Sequence, residues 1–123
     1  MLLTVQTEDL APWRIIHVAG ELDMASCPVL RNELVGQITE GHIHLAIDLH
    51  AVDFIDSTGL GVLIGGLKRS RARGGDLRVI NVPERIMEVF DLTGLTGVFS
   101  VVDSADQLPS ELPESATGST EVS

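Results

Sequence analysis

Between Ile43 and Val82 the chain passes through a strand pattern, a helix pattern and a second strand pattern, and this order restricts its fold more than any other feature. Ile43, Leu45, Ile47 and Leu49 alternate with His42, His44, Ala46 and Asp48, the period-two signature of a strand. A helix is expected from about Ser57 to Arg73, because Leu60, Leu63, Ile64 and Leu67 form one stripe and Gly74-Gly75 closes it. The following strand covers Leu77–Val82. A strand, a helix and a strand in succession imply parallel pairing through a helical crossover, so the class is α/β.

The flanking segments extend the same plan. Leu2–Gln6 and Trp13–Ala19 read as a strand pair around a Glu8–Pro12 turn. Val29, Leu30, Leu34, Val35 and Ile38 recur at helical spacing from Ser26 to about Thr39, with Ser26 suited to the N-cap and Pro28 to the first turn. A Pro83-initiated helix to about Phe90 and a strand at Val98–Val102 complete the pattern. After Leu108 the chain turns to Pro, Gly, Ser, Thr and Glu, a composition that buries too little apolar surface to offset its ordering entropy. The expected folded unit is 1–108 and the expected disordered acidic tail is 109–123. Truncation at Leu108 is accordingly expected to leave stability nearly unchanged.

Composition narrows the function classes. The chain has 123 residues, 18 acids against 8 bases and a formal charge of −10. That balance argues against nucleic acid, whose affinity for proteins comes largely from Lys and Arg, and against an anionic membrane surface. Cys27 is the sole cysteine, which excludes an internal disulfide and disfavours a cysteine-based zinc site. No apolar run approaches the roughly 20 residues of a membrane span, and Met1–Asp9 shows no signal-peptide pattern, so a cytoplasmic location is expected.

The helix over 57–73 carries Gly59, Gly61, Gly65 and Gly66. Each interior glycine costs roughly 0.5–1 kcal/mol relative to alanine, so something must offset about 2–4 kcal/mol. Two explanations stand side by side: a small, uncharged outer surface that docks a partner, or a helix tucked tightly beneath its neighbours. Gly61, Val62, Gly65 and Gly66 are expected on faces away from the leucine stripe. Ser57 or Thr58 sits where the preceding loop meets the helix. Either hydroxyl suits an N-cap, and either suits a phosphoacceptor, where free N–H groups and the helix dipole tolerate added negative charge while Asp56 opposes it.

Other signals carry less. Asp56-Ser57-Thr58-Gly59 has one residue too many for an aspartic-protease motif, and Gly59-Leu60-Gly61 lacks the third glycine of a dinucleotide loop. His42 and His44 share a strand face but have no clear third metal ligand. Lys68, Arg69, Arg71 and Arg73 complement the C-terminal end of a helix dipole. Cys27, beside Pro28, reads better as a small buried residue than as a reactive thiol. No catalytic constellation, cofactor site or metal site is assembled from these residues.

Three motifs identify a resemblance. Gly20-Glu21-Leu22-Asp23, the run from Asp53 through Asp56-Ser57-Thr58-Gly59 to Leu63, and Phe90-Asp91-Leu92-Thr93-Gly94-Leu95 closely resemble the STAS-domain anti-sigma-factor antagonists. The resemblance extends over about residues 2–104. It implies a mixed β-sheet of about five strands, the first pair antiparallel, with helices packed mainly on one side. It also implies a non-enzymatic partner switch. The unmodified antagonist would bind an anti-sigma factor that is also a serine kinase of the histidine-kinase-like ATPase superfamily, and so release a sigma factor. That kinase would phosphorylate Ser57, and a PP2C-type phosphatase would reverse the modification. Asp23, Asp56, Ser57, Thr58, Gly59, Leu60, Gly61 and Val62 are the residues expected at the partner surface. Two alternatives from other classes remain: a non-switching STAS scaffold in a larger signalling complex, and a small-ligand or nucleotide sensor.

Overall fold

A computed structural model describes residues 3–110. The chain order is β1 (Thr4–Leu10), β2 (Trp13–Leu22), α1 (Cys27–Thr39), β3 (His44–Ile55), α2 (Ser57–Ala72), β4 (Asp76–Ile80), α3 (Glu84–Leu92) and β5 (Ser100–Val102), with short 3-10 turns at Leu95–Gly97 and Ala105–Gln107. One five-stranded sheet follows the chain order β1-β2-β3-β4-β5. β1 and β2 are antiparallel; the remaining three pairings are parallel. The expected α/β mixed sheet is therefore observed.

Sequential strand order accounts for the layering. Right-handed crossovers that always step in the same direction leave their helices on one face of the sheet. Ile16 and Val18 of β2, Leu45, Ile47 and Leu49 of β3, and Leu77 and Val79 of β4 join Leu30, Leu34, Leu63, Leu67, Ile86 and Phe90 of the helices in the main core. Each such side chain contributes roughly 1.5–3 kcal/mol on burial. Alternation sends Trp13, Ile15, Ala46 and Ile80 to the opposite face, where Leu108 covers them. Arg78 places its guanidinium 5.2 Å from the Trp13 ring centroid.

Several boundaries move. β1 continues to Leu10 and β2 to Leu22, so the turn shrinks to Ala11-Pro12, because cross-strand pairing persists as far as Leu10↔Trp13. β3 continues past Leu49 to Ile55, since register shifts opposite His17–Ala19 and Gly20–Glu21 keep it paired with β2. The N-cap expectation for Ser26 also changes: its position holds, but its side chain makes no cap bond. Its hydroxyl accepts from the Asp23 N–H at 3.0 Å and its own N–H donates to Asp23 Oδ1 at 2.9 Å. Asp23 thereby caps the turn leading into α1.

The expected tail lies outside the described residues beyond Ser110, but its first two residues, Pro109 and Ser110, do not. The buried Trp13 Nε1–H donates to the Pro109 carbonyl at 2.8 Å. Cutting after Leu108 removes that acceptor, correcting the expectation of an unchanged stability. We expect a loss of about 1–3 kcal/mol relative to a cut after Ser110, the cost of orphaning a buried donor. Thermal melts of the two truncations check this; equal midpoints would contradict it.

Candidate partner-binding site

The C-terminal ends of β2 and β3 build the site. Leu22 pairs with Ile55, and the Asp56 N–H donates to the Leu22 carbonyl at 3.1 Å. The two motif acids that follow these strands, Asp23 and Asp56, are thereby carried to one edge of the sheet. Cys27 lies between them, buried, and its thiol is pushed up by burial and then by the charges of Asp56 and Asp23. It is a packing residue with little thiolate character.

Asp56, not a hydroxyl, caps α2. Its Oδ1 accepts from Thr58 N–H at 2.9 Å and Gly59 N–H at 3.1 Å. This overturns the expectation that Ser57 or Thr58 would serve as N-cap, because the extended backbone at Asp56 puts its carboxylate over those first free N–H groups. It also removes the amides on which added charge at the helix start was expected to rest. Ser57 and Thr58 are exposed in the first turn of the helix. Asp23 lies below the ordinary carboxylate range, held there chiefly by the Ser26 N–H and then by its hydroxyl.

The glycines divide into two kinds. A Cβ on Gly59 would stand 2.8 Å from Ile55 Cγ1 and 2.9 Å from the Leu22 carbonyl. One on Gly66 would stand 3.0 Å from side chains of both Leu34 and Leu77. Gly66 therefore faces α1 and β4, correcting its expected placement toward an outer face. Gly61, in contrast, is exposed with open space around it. Leu60 is buried and Val62 half-buried against the core. The eight expected partner-surface residues thus separate into a presented group (Asp23, Asp56, Ser57, Thr58, Gly61, Val62) and a buried pair (Gly59, Leu60) that sets α2 against β2.

Two exposed apolar side chains accompany the site without any signal in the residue pattern. Met24 is 74% exposed directly after Asp23, and Phe54 is 47% exposed two residues before Asp56. Hydrophobic alternation assigned Phe54 no face, because the strand was expected to end at Leu49. Asp53 beside it pairs with Arg85 of α3 at 3.1 Å.

The discounted residues have structural partners. Arg14 donates to His42 Nε2 at 2.9 Å, His44 packs edge-on against Trp13 with centroids 5.8 Å apart, and Arg73 donates to the Ile38 carbonyl at 2.9 Å. His44 is pushed below its ordinary value by burial, against the pull of Asp76, and so stays neutral near pH 7. Among the described residues, no helix is long and apolar enough to cross a membrane.

A mixed sheet with this strand order and this acidic, serine-bearing edge defines a class, and the comparisons agree: residues 3–108 match the STAS domain, and the chain belongs to that family. Among its relatives is the anti-sigma-B factor antagonist of Bacillus subtilis, 42% identical over 86 residues, which cover 70% of this chain and 78% of the relative. The anti-sigma factor antagonist SpoIIAA in its unphosphorylated form shares the fold with a TM-score of 0.66 at 21% identity, covering 85% of this chain and 92% of the other. The phosphorylated form of the Bacillus cell fate determinant SpoIIAA also has a TM-score of 0.66, at 24% identity, over 85% and 94% of the two chains.

Proposed function

We propose that this chain is an anti-sigma-factor antagonist whose binding edge is switched by phosphorylation of Ser57. The carrying observation is an exposed serine in the first turn of α2, immediately after a carboxylate that already occupies the Thr58 and Gly59 N–H groups. In the unmodified state, the edge formed by Asp23, Asp56, Ser57, Thr58, Gly61 and Val62 binds an anti-sigma factor and so releases a sigma factor. The partner is a serine kinase of the histidine-kinase-like ATPase superfamily and supplies the chemistry; this chain supplies the hydroxyl. A PP2C-type phosphatase restores binding. The relatives named as anti-sigma-B factor antagonists support the role, and the phosphorylated form of a fold neighbour supports the modification.

The deciding experiment incubates the cognate kinase and ATP with wild type, Ser57→Ala and Thr58→Ala. Labelling is expected in wild type and Thr58→Ala and absent in Ser57→Ala. Labelling of Ser57→Ala equal to wild type would remove the switch. A non-switching scaffold would instead assemble with related domains into a multi-copy particle and remain indifferent to both substitutions.

Met24 and Phe54, next to Asp23 and two residues before Asp56 in the chain, give this surface exposed apolar groups. Phe54→Ser is expected to lower the melting temperature by several degrees, for the loss of a half-buried ring, and to lower partner affinity about tenfold or more, as for a truncated interface aromatic. Calorimetric titration with the anti-sigma factor checks it; unchanged affinity would place Phe54 outside the interface.

A further inference from the structure

On the sheet face opposite the helices, far along the strands from the candidate site, His17 stands between two carboxylates. Its Nδ1 lies 2.6 Å from Asp48 Oδ2 and its Nε2 lies 2.8 Å from Glu8 Oε1. Asp48 is buried, and its carboxylate also accepts from the His50 N–H at 3.0 Å, from His50 Nδ1 at 3.0 Å and from Asn81 Nδ2 at 3.2 Å. An ionised carboxylate only accepts hydrogen bonds, and a neutral imidazole has a single N–H. Both contacts are satisfied together only when His17 is an imidazolium.

We propose that His17 is a pH-operated latch, which in its doubly protonated form ties the edge strand β1 through Glu8 to the buried Asp48 of β3. The charged groups bonded to the ring are Glu8 from β1 and Asp48 from β3; His50 lines the same cavity as His17 and, like the Asn81 amide, bonds to Asp48. Burial drives Asp48 upward, but the bonds from the His50 N–H, His17, His50 and Asn81 outweigh it and hold the carboxyl below its ordinary value. Asp48 therefore stays ionised while His17 titrates. His17 is raised above its ordinary value, first by the Glu8 bond and, against partial burial, by Asp48.

Release follows the proton. The imidazolium loses Nε2–H to water, reached through a side chain that is 38% exposed. Nδ1–H stays with Asp48, whose buried charge depends on it. The Nε2 lone pair then faces an ionised Glu8, two acceptors meet, and Glu8 swings into solvent. Because the folded value lies above the unfolded one, the stabilisation is complete below about pH 6.5 and is lost as pH rises through the folded value. The latch is thus closed in mildly acidic conditions and opens toward alkaline ones.

Imidazole nitrogen NMR on the full chain tests this directly. At pH 6.5 the wild type is expected to show both His17 nitrogens protonated, with a midpoint above that of an ordinary histidine. Glu8→Gln, on an exposed strand position, is expected to shift the midpoint downward and flatten the fall of melting temperature on the alkaline side. His17→Gln is expected to abolish that dependence. A wild-type midpoint at or below 6.5, or a midpoint unmoved by Glu8→Gln, would overturn the proposal.

Discussion

Ser57→Asp is expected to weaken binding to the anti-sigma factor about a hundredfold, with the melting temperature and circular dichroism unchanged. The reason lies in what surrounds Ser57 and in what docking removes. Asp56 precedes it and Asp23 is brought to the same edge by the Leu22–Asp56 backbone bond. In water, like charges roughly 5 Å apart repel by under about 1 kcal/mol; when a partner covers the edge and the effective dielectric falls to about 20, the repulsion reaches roughly 3 kcal/mol. At about 1.4 kcal/mol per decade this difference is about a hundredfold. The Thr58 and Gly59 amides that a new anion at the helix start would use are already held by Asp56. The free protein keeps the added charge in solvent, so its fold is little affected. Phosphoserine, carrying roughly −1.5 to −2 charges, is expected to exceed the aspartate effect. Titration calorimetry with wild-type, substituted and phosphorylated protein decides the matter. Equal affinities for all three would show that the edge does not read charge at this position.

Gly59→Ala and Gly61→Ala, two residues apart on one helix, are expected to change stability in opposite directions. Helix propensity alone favours both by roughly 0.5–1 kcal/mol. At Gly61 nothing opposes the gain, since the added carbon meets no atom within 4 Å beyond its own turn of helix. At Gly59 the carbon meets Ile55 Cγ1, Leu22 Cβ and the Leu22 carbonyl, the last a backbone oxygen that cannot rotate away and also accepts from Asp56. Overpacking of this kind costs about 1–3 kcal/mol, so a net loss of roughly 1–2 kcal/mol is expected at Gly59. The same push moves the end of β2 that bears Asp23, so partner affinity should fall with it. Gly61→Ala should separate the two properties: a more stable domain that presents a methyl group where the partner approaches. Denaturant unfolding of both variants checks the signs. Destabilisation of both would mean that Gly61 is also under packing constraint.

Close packing accounts for only some of the glycines of α2. Gly59 and Gly66 permit close approach, to the β2–β3 edge and to Leu34 and Leu77, whereas Gly61 leaves an uncrowded surface. The leucine periodicity misplaced Gly66, and it does not report how near the next element comes. That distance is set by the side chains of Leu22, Ile55, Leu34 and Leu77, from segments remote in sequence.

The His17 network was hidden for the same reason. Alternation placed Asp48 opposite the leucine-rich face, but nothing in the local pattern indicates that a lone acid there will be buried under two histidines and an asparagine drawn from β2, β3 and the end of β4. Met24 and Phe54 were missed because an exposed apolar side chain looks, in sequence, like any other apolar residue.

What the sequence alone determined is local or periodic: the α/β class, the crossover helices, the leucine stripe of α2, the motif that contains Ser57, and an acidic balance with a net charge of −10. These depend on short-range sterics, on side-chain spacing and on composition. The tertiary structure alone decided which group caps α2, which glycines are packed, where the Trp13 indole finds its acceptor, and that His17 lies between two acids. Each of those outcomes depends on the distance between segments far apart in the chain, and it is chain folding into the sheet, not residue order, that sets such distances.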